Sequence, residues 1–337
     1  ADRQSIWLII STVAMLIAAI HPRILRWLRQ YRYLILIIGL GLLISTIIAG
    51  RNPSGFGPAL WLGIGQVFFQ PSEILKIILV AFLASYLSEQ YPALRTDIKS
   101  KDNSPYWRSP RIMGPIMLMW SICIVVLVWQ RDLGTAILFF AVFIILLYVS
   151  SGQPLIILSG IILTGLAAIA AYTLFDVVQL RIDIWLNPWA EADGRAYQIV
   201  QSLMAFSAGG VTGNGIGLGS PGYIPVVHSD FVFAALAEEW GFIGVIVLIS
   251  ALLIFVMRGL QTALLSQERP YRTLLATGLS MLIAVQSLLI MGGVLKLVPL
   301  TGVTLPWVSY GGSSLLMSFI LTGLLLRLSA EVSHDAG

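Results

Sequence analysis

Residues 33–50 read YLILIIGLGLLISTIIAG, with no charged side chain among them. Such a run must be hidden from water along its whole length. Comparable runs recur at 5–20, 72–90, 112–129, 133–150, 154–175, 231–257, 273–295 and 305–327, each close to the ~20 residues that carry a helix across a bilayer. The chain is 58% hydrophobic and 11% charged, a balance that a water-soluble fold of its 337 residues could not bury. The apolar residues form blocks and do not alternate with polar ones, which excludes a β-barrel. The expected fold class is therefore an all-α polytopic membrane protein with nine transmembrane helices in one domain, 1–337. The formal charge of +4 supports no nucleic-acid reading, because in such a chain the placement of Lys and Arg is informative and their sum is not. The single cysteine, Cys123, excludes an intrachain disulfide and reads as a small core residue.

The basic residues divide by side. Loop 21–32 carries Arg23, Arg26, Arg29 and Arg32; loop 91–111 carries Arg95, Lys99, Lys101, Arg108 and Arg111; loop 258–272 carries Arg258, Arg269 and Arg272. The alternate side has only Arg51, Arg131, Arg181, Arg195 and Lys296, spread thinly. The positive-inside rule places the first group, and the C-terminus, in the cytoplasm. It also places residue 1 outside, which leads us to expect a further helix ahead of it; a cleaved signal peptide is the alternative. The outer connection 176–230 is too long for a simple link. Its glycine series, Gly209 to Gly222, allows close backbone packing, and Tyr197, Ile199, Val200, Leu203 and Phe206 make a helical apolar stripe. We expect a partly ordered lid resting on the membrane.

Ionisable residues within or beside spans are costly and informative. Glu73 and Lys76, in QPSEILK, share a helix face and suit either a structural ion pair or a substrate site. Asp132, in QRDLGTA, lies in a short link where it can cap the next helix or, with Arg131 beside it, face an anion. Asp230, in HSDFVF, ends the long loop at the outer interface, where it could be an N-cap or a reactive group. Glu238 and Glu239 lie inside the following helix and should be satisfied within the bundle. SYGGSS at 309–314 permits close helix approach or a broken helix. Trp61 suits an interfacial aromatic belt.

In order, QPSEILK, QRDLGTA, LNPWAEADGRAYQIVQS, HSDFVFAALAEEWG and PLTGVTLPWVSYGGSS closely resemble the SEDS family, the RodA/FtsW/SpoVE proteins of bacterial cell-wall synthesis, over about residues 5–327. The resemblance implies ten helices, of which this chain would hold the second to the tenth. It implies a peptidoglycan glycosyltransferase that polymerises lipid II at the outer face of the bacterial cytoplasmic membrane, in elongation or division, beside a class B penicillin-binding protein. It puts the essential acid on Asp230, the other motif acids on Glu73 and Asp132, and the outer-loop tryptophan on Trp61. The family often has Pro where Arg131 stands, Asn where Ile290 stands and Gly where Lys296 stands, so the outer pocket is more cationic here.

Glycosyl transfer from a lipid pyrophosphate needs a base for the acceptor hydroxyl and positive charge for the leaving group. Asp230 is the candidate base. Arg131, Arg181, Arg195 and Lys296 are candidate clamps, with Glu73, Lys76, Asp132 and Trp61 as further substrate-binding residues. A divalent cation such as Mg2+ or Mn2+ could share the clamping. The alternative is a lipid II flippase, with its acids strung along a path through the bilayer; a scaffold that only recruits the transpeptidase would tolerate loss of every buried acid.

Overall fold

The computed structural model describes residues 2–52, 59–64, 67–95 and 127–336, together with six positions between 114 and 125. Cys123, most of the basic loop 91–111 and half of the span expected at 112–129 lie outside the described residues. The chain forms two compact units, one of residues 1–160, 257–282 and 312–337, the other of 161–256 and 283–311.

In the first unit α1 (Asp2–Ile20) is followed by the short α2 (Ile24–Gln30), with an 84° bend between Gln4–Ile20 and Ile24–Gln30. Next come α3 (Arg32–Ala49), a hairpin of β1 (Leu62–Ile64) and β2 (Val67–Phe69) in which Leu62 pairs with Phe69, then α4 (Pro71–Arg95) and α5 (Leu133–Ser151). α4 is the axis of this unit. Leu75, Leu79, Phe82, Leu83 and Leu87 are all buried, and the helix packs between α3 and α5. Pro71 opens it, where a missing N–H costs nothing.

α6 (Leu155–Leu174) leads into the second unit and shows the opposite environment. Only 11% of its span is buried by protein, the mark of a helix whose apolar side chains face lipid. The long connection is more ordered than a lid with a single apolar stripe. It holds α7 (Asp176–Leu186), a 3-10 turn at Pro188–Glu191, α8 (Tyr197–Gly209) and a second 3-10 turn at Pro221–Tyr223. Ile199 and Val200 of the expected stripe are buried, while the rest of the buried face is the small residues Ser202, Ala205 and Gly209.

α9 (Val232–Leu265) is one long helix only in outline, because Gly241 has φ +66 and breaks it. The glycine-rich loop folds onto this break. Asn214 N–H donates to Glu238 O at 3.0 Å, Gly215 N–H to Glu239 O at 3.0 Å, Phe242 N–H to Gly210 O at 2.9 Å and Ile243 N–H to Val211 O at 3.1 Å. A Cβ on Gly213 would fall 2.6 Å from Gly241 N, so the two backbones meet only because both positions are glycine. Glu238 and Glu239 therefore stand at a helix break and not within an uninterrupted span; the Glu238 carboxylate accepts from Ser220 N–H at 2.9 Å.

α10 (Pro270–Val294) and α11 (Gly312–Ala336) complete the chain, α11 packing along α1 in the first unit. The last helix begins at Gly312, seven residues later than the 305 expected, because Leu305–Tyr310 is an irregular segment with Trp307 at φ +61. Among the described residues seven helices are long and apolar enough to cross a membrane, eight if the bent pair α1–α2 counts as one span.

Candidate active site

The segment His228-Ser229-Asp230 is held by the irregular stretch before α11. Tyr310 N–H donates to His228 O at 2.7 Å and the Ser309 hydroxyl donates to Ser229 O at 2.6 Å, while Leu305 N–H donates back to Ser309 Oγ at 2.8 Å. The His228 and Tyr310 rings meet edge to face at 5.3 Å. Phe231 and Phe233, both fully buried, anchor the segment from below. These contacts fix the backbone on either side of the Asp230 carboxylate, as positioning a reacting group requires.

Asp230 does not cap α9. The Phe231 carbonyl accepts the first helical bond, from Ala235 N–H at 3.2 Å, which makes Phe231 the cap residue and leaves Asp230 one position ahead of it. The capping explanation for an acid here is thereby removed. Burial pushes the Asp230 carboxyl above its ordinary range, against the opposing pull of the Ser229 hydroxyl and then the charges of Arg181 and His228.

Of the cations expected nearby, Arg181 belongs with this acid: its charge acts on Asp230 and its Nη1 donates to Thr301 O at 3.2 Å. Lys296 approaches α7, with Nζ 3.4 Å from Leu186 O and its own carbonyl accepting from Trp185 Nε1 at 3.1 Å. Arg195 is committed elsewhere. Its Nε donates to Glu191 Oε2 at 2.6 Å, a pairing that holds the Glu191 carboxyl below its usual range. Glu191 and Arg195 line a cleft of about 550 Å3 with Asp176, Gln179, Asp183 and Asn187. This polar cleft beside α7 was missed from sequence. Asp176 and Asp183 stand seven apart on α7, a two-turn spacing that could have marked a polar face.

The remaining candidates gather in the first unit. Glu73 Oε2 and Lys76 Nζ lie 2.8 Å apart, both buried, as a close ion pair. Ser72 Oγ donates to Asp132 Oδ2 at 3.3 Å and accepts from Gln70 Nε2 at 3.0 Å. Asp132 caps α5, its Oδ1 accepting from Thr135 N–H at 3.3 Å. Protein crowds this carboxyl although part of its surface reaches solvent; the crowding raises it, the Thr135 bonds and then Lys76 lower it, and Glu73 raises it. Trp61 forms a β-bridge with Arg51 at the base of the hairpin and is half-buried.

Arg131 and Lys296 share a backbone state, φ +62 and +59. Arg131 N–H donates to Val128 O and Asp132 N–H to Leu127 O; Lys296 N–H donates to Gly293 O and Leu297 N–H to Gly292 O. Both are left-handed residues ending a helix in a Schellman motif. Glycine fits that state without strain and proline cannot adopt it, so the glycine that the resemblance sets at 296 suits this turn and the proline that it sets at 131 does not. Among the described residues no three His, Cys, Asp or Glu side chains converge as a metal site.

The sequence profile of the FtsW/RodA/SpoVE cell cycle proteins matches residues 1–334. The chain belongs to that family. It is 34% identical over 330 residues to peptidoglycan glycosyltransferase RodA of Mycobacterium tuberculosis, covering 98% of this chain and 70% of that one. It is 34% identical over 333 residues to a probable peptidoglycan glycosyltransferase FtsW of Geobacter metallireducens, covering 98% and 84%. Among solved structures, a chain of a peptidoglycan synthase complex that coordinates polymerization and crosslinking superposes with a TM-score of 0.78 at 26% identity, over 98% of this chain and 89% of that one. The rod shape determining protein RodA of Thermus thermophilus superposes with a TM-score of 0.66 over 98% and 87%; at 24% identity it speaks for the fold alone. As a FtsW/RodA/SpoVE protein with these helices, the chain is a multi-pass membrane protein.

Proposed function

We propose that this FtsW/RodA/SpoVE protein polymerises lipid II at the outer face of the bacterial cytoplasmic membrane, with Asp230 as the general base. It is a peptidoglycan glycosyltransferase, as its RodA and FtsW relatives are named. The observation that carries the assignment of the base is that Asp230 is held on a fixed backbone, raised by burial, in the field of Arg181, and not used as a helix cap. In the reaction the acceptor 4-hydroxyl attacks C1 of the donor sugar while Asp230 takes the hydroxyl proton. The C1–oxygen bond breaks, and both its electrons leave with the lipid pyrophosphate. One base and one displacement invert the anomeric centre.

Arg181 and Lys296 are the cations best placed in this unit to meet the departing charge. Arg195 serves only after releasing Glu191. A divalent cation such as Mg2+ or Mn2+, carried chiefly by the pyrophosphate, would share the neutralisation. Arg131, Asp132, Glu73, Lys76 and Trp61 are the substrate-supporting residues of the first unit. A class B penicillin-binding protein is the proposed partner, and the fold shared with a chain of the synthase complex supports it. The C-terminus and the Arg-rich loops are placed in the cytoplasm.

The flippase reading needs exchangeable charges along a path, whereas Glu73 and Lys76 are buried and hold each other at 2.8 Å. The deciding experiment is reconstitution of the purified chain with its partner in vesicles carrying fluorescent lipid II in the outer leaflet only. Glycan polymer supports the enzyme, and transfer of intact lipid II to the inner leaflet without polymer supports the flippase.

A further inference from the structure

A second cavity, of about 310 Å3, lies within the first unit among Arg29 of α2, Ser88 of α4, Arg269, and Pro270, Tyr271 and Arg272 at the start of α10. Among the described residues three arginines line it and no carboxylate does. Two acids close by are engaged: Glu331 holds Arg272 and Arg327, and Glu89 holds Arg32. Arg29 stands over an aromatic ring, its guanidinium 5.6 Å from the centre of Tyr271. Tyr271 in turn donates its hydroxyl to Leu25 O at 3.2 Å, and Ser88 donates to Ser85 O at 2.7 Å. The floor of the cavity is thus internally satisfied, and its rim carries fixed positive charge.

The setting indicates the occupant. α2 bends 84° away from α1, carries Arg26 and Arg29 beside the exposed Trp27, and is followed by the exposed Tyr31 and Tyr33. Cations and amphipathic aromatics together on a helix turned out of the membrane direction are the composition of the headgroup layer. α3 starts two residues later and leaves Leu34, Ile37 and Ile38 exposed, apolar surface on which an acyl chain can lie. We infer that this cavity binds the phosphate of an anionic membrane phospholipid, held by the guanidinium group of Arg29, with Arg269 and Arg272 adding charge from the contacts they already make. The volume is at the lower end of the ~300–1,000 Å3 of small-molecule sites, suited to a headgroup but not to a whole lipid. Guanidinium forks match phosphate oxygens in pairs, and basic pockets between membrane helices serve this purpose elsewhere.

The test uses the full chain in neutral detergent, with thermal protection and native mass spectrometry read against added phosphatidylglycerol, phosphatidylcholine or inorganic phosphate. Phosphatidylglycerol should protect and remain bound at concentrations roughly tenfold or more below phosphatidylcholine, the ratio expected from charge-assisted hydrogen bonds. Arg29→Gln should remove most of that preference. Arg26→Gln, a charge lost from the same helix but outside the cavity, should change it several-fold less. Ser88→Phe fills the cavity without changing charge and should also abolish the preference, which keeps the test available if Arg29→Gln folds poorly. Equal losses in Arg26→Gln and Arg29→Gln, or full binding by Ser88→Phe, would reduce the effect to general surface attraction and overturn the site. Protection by inorganic phosphate equal to that by phosphatidylglycerol would overturn the lipid assignment.

Discussion

Replacing Gly213 by alanine tests whether the long outer connection is built onto the break in α9. Gly213 and Gly217 both have positive φ, +79 and +75, so alanine at either incurs the same left-handed cost of about 1–2 kcal/mol. They differ in space. A Cβ at Gly217 meets nothing within 4 Å, whereas one at Gly213 collides with Glu239 O and comes within 2.6 Å of Gly241 N, all main-chain atoms. The collision is relieved only by separating the loop from the helix. That loosens the four hydrogen bonds of Asn214, Gly215, Phe242 and Ile243, each contributing about 1 kcal/mol. Gly213→Ala should therefore destabilise this junction by about 3 kcal/mol more than Gly217→Ala. Hydrogen exchange in nanodiscs reads the difference directly: those four amides should exchange about 10²-fold faster in Gly213→Ala than in Gly217→Ala. Equal exchange in the two variants would show that the close approach does not hold the loop, and the reasoning would fail.

Lys76→Met should destabilise the first unit by about 3–5 kcal/mol by stranding the buried Glu73 carboxylate, and adding Glu73→Gln should recover much of the loss; a double-mutant cycle of unfolding measurements checks this. Because burial raises Asp230, the acid limb of the pH–rate profile should lie above the ordinary carboxylate range, and the fold should lose a little stability as pH rises through the same interval. Arg181→Gln removes a charge that lowers Asp230, so it should move that limb to higher pH, seen in kcat/KM against pH. Cysteine placed at Gln267 should react with an impermeant thiol reagent only after the membrane is opened, and cysteine at Trp189 should react in intact cells.

Helix identity was legible in the sequence wherever a charge-free run set it, as in α3 and α5, because bilayer crossing needs only length and hydrophobicity. The start of α11 was not. Leu305, Trp307 and Val308 are as apolar as the helix itself, and hydropathy cannot tell an irregular segment from a helical one, although Pro306 and Gly311 lay where a break was to be suspected. Asp230 could be singled out because an acid between a loop and an apolar helix is costly, yet its two explanations differed by one residue of register. Only the Phe231–Ala235 bond separates them. The glycine series announced close packing without naming its partner, since the helix break at Gly241 is nearly thirty residues away in sequence from Gly213 and no spacing rule joins them. The commitment of Arg195 to Glu191 follows a simple i,i+4 spacing and was open to inspection.

The central claim is that Asp230 accepts the acceptor's proton while Asp132 supports a helix end. The direct measurement is polymer formed from lipid II by Asp230→Asn and Asp132→Asn, each purified with its partner and shown to be folded. Asparagine preserves size, and at position 132 it preserves the cap. The account predicts that Asp230→Asn retains its partner and loses the ~10²–10⁴-fold that a general base contributes, while Asp132→Asn keeps substantial activity. Near-normal polymerisation by Asp230→Asn, with the loss falling on Asp132→Asn instead, would contradict it.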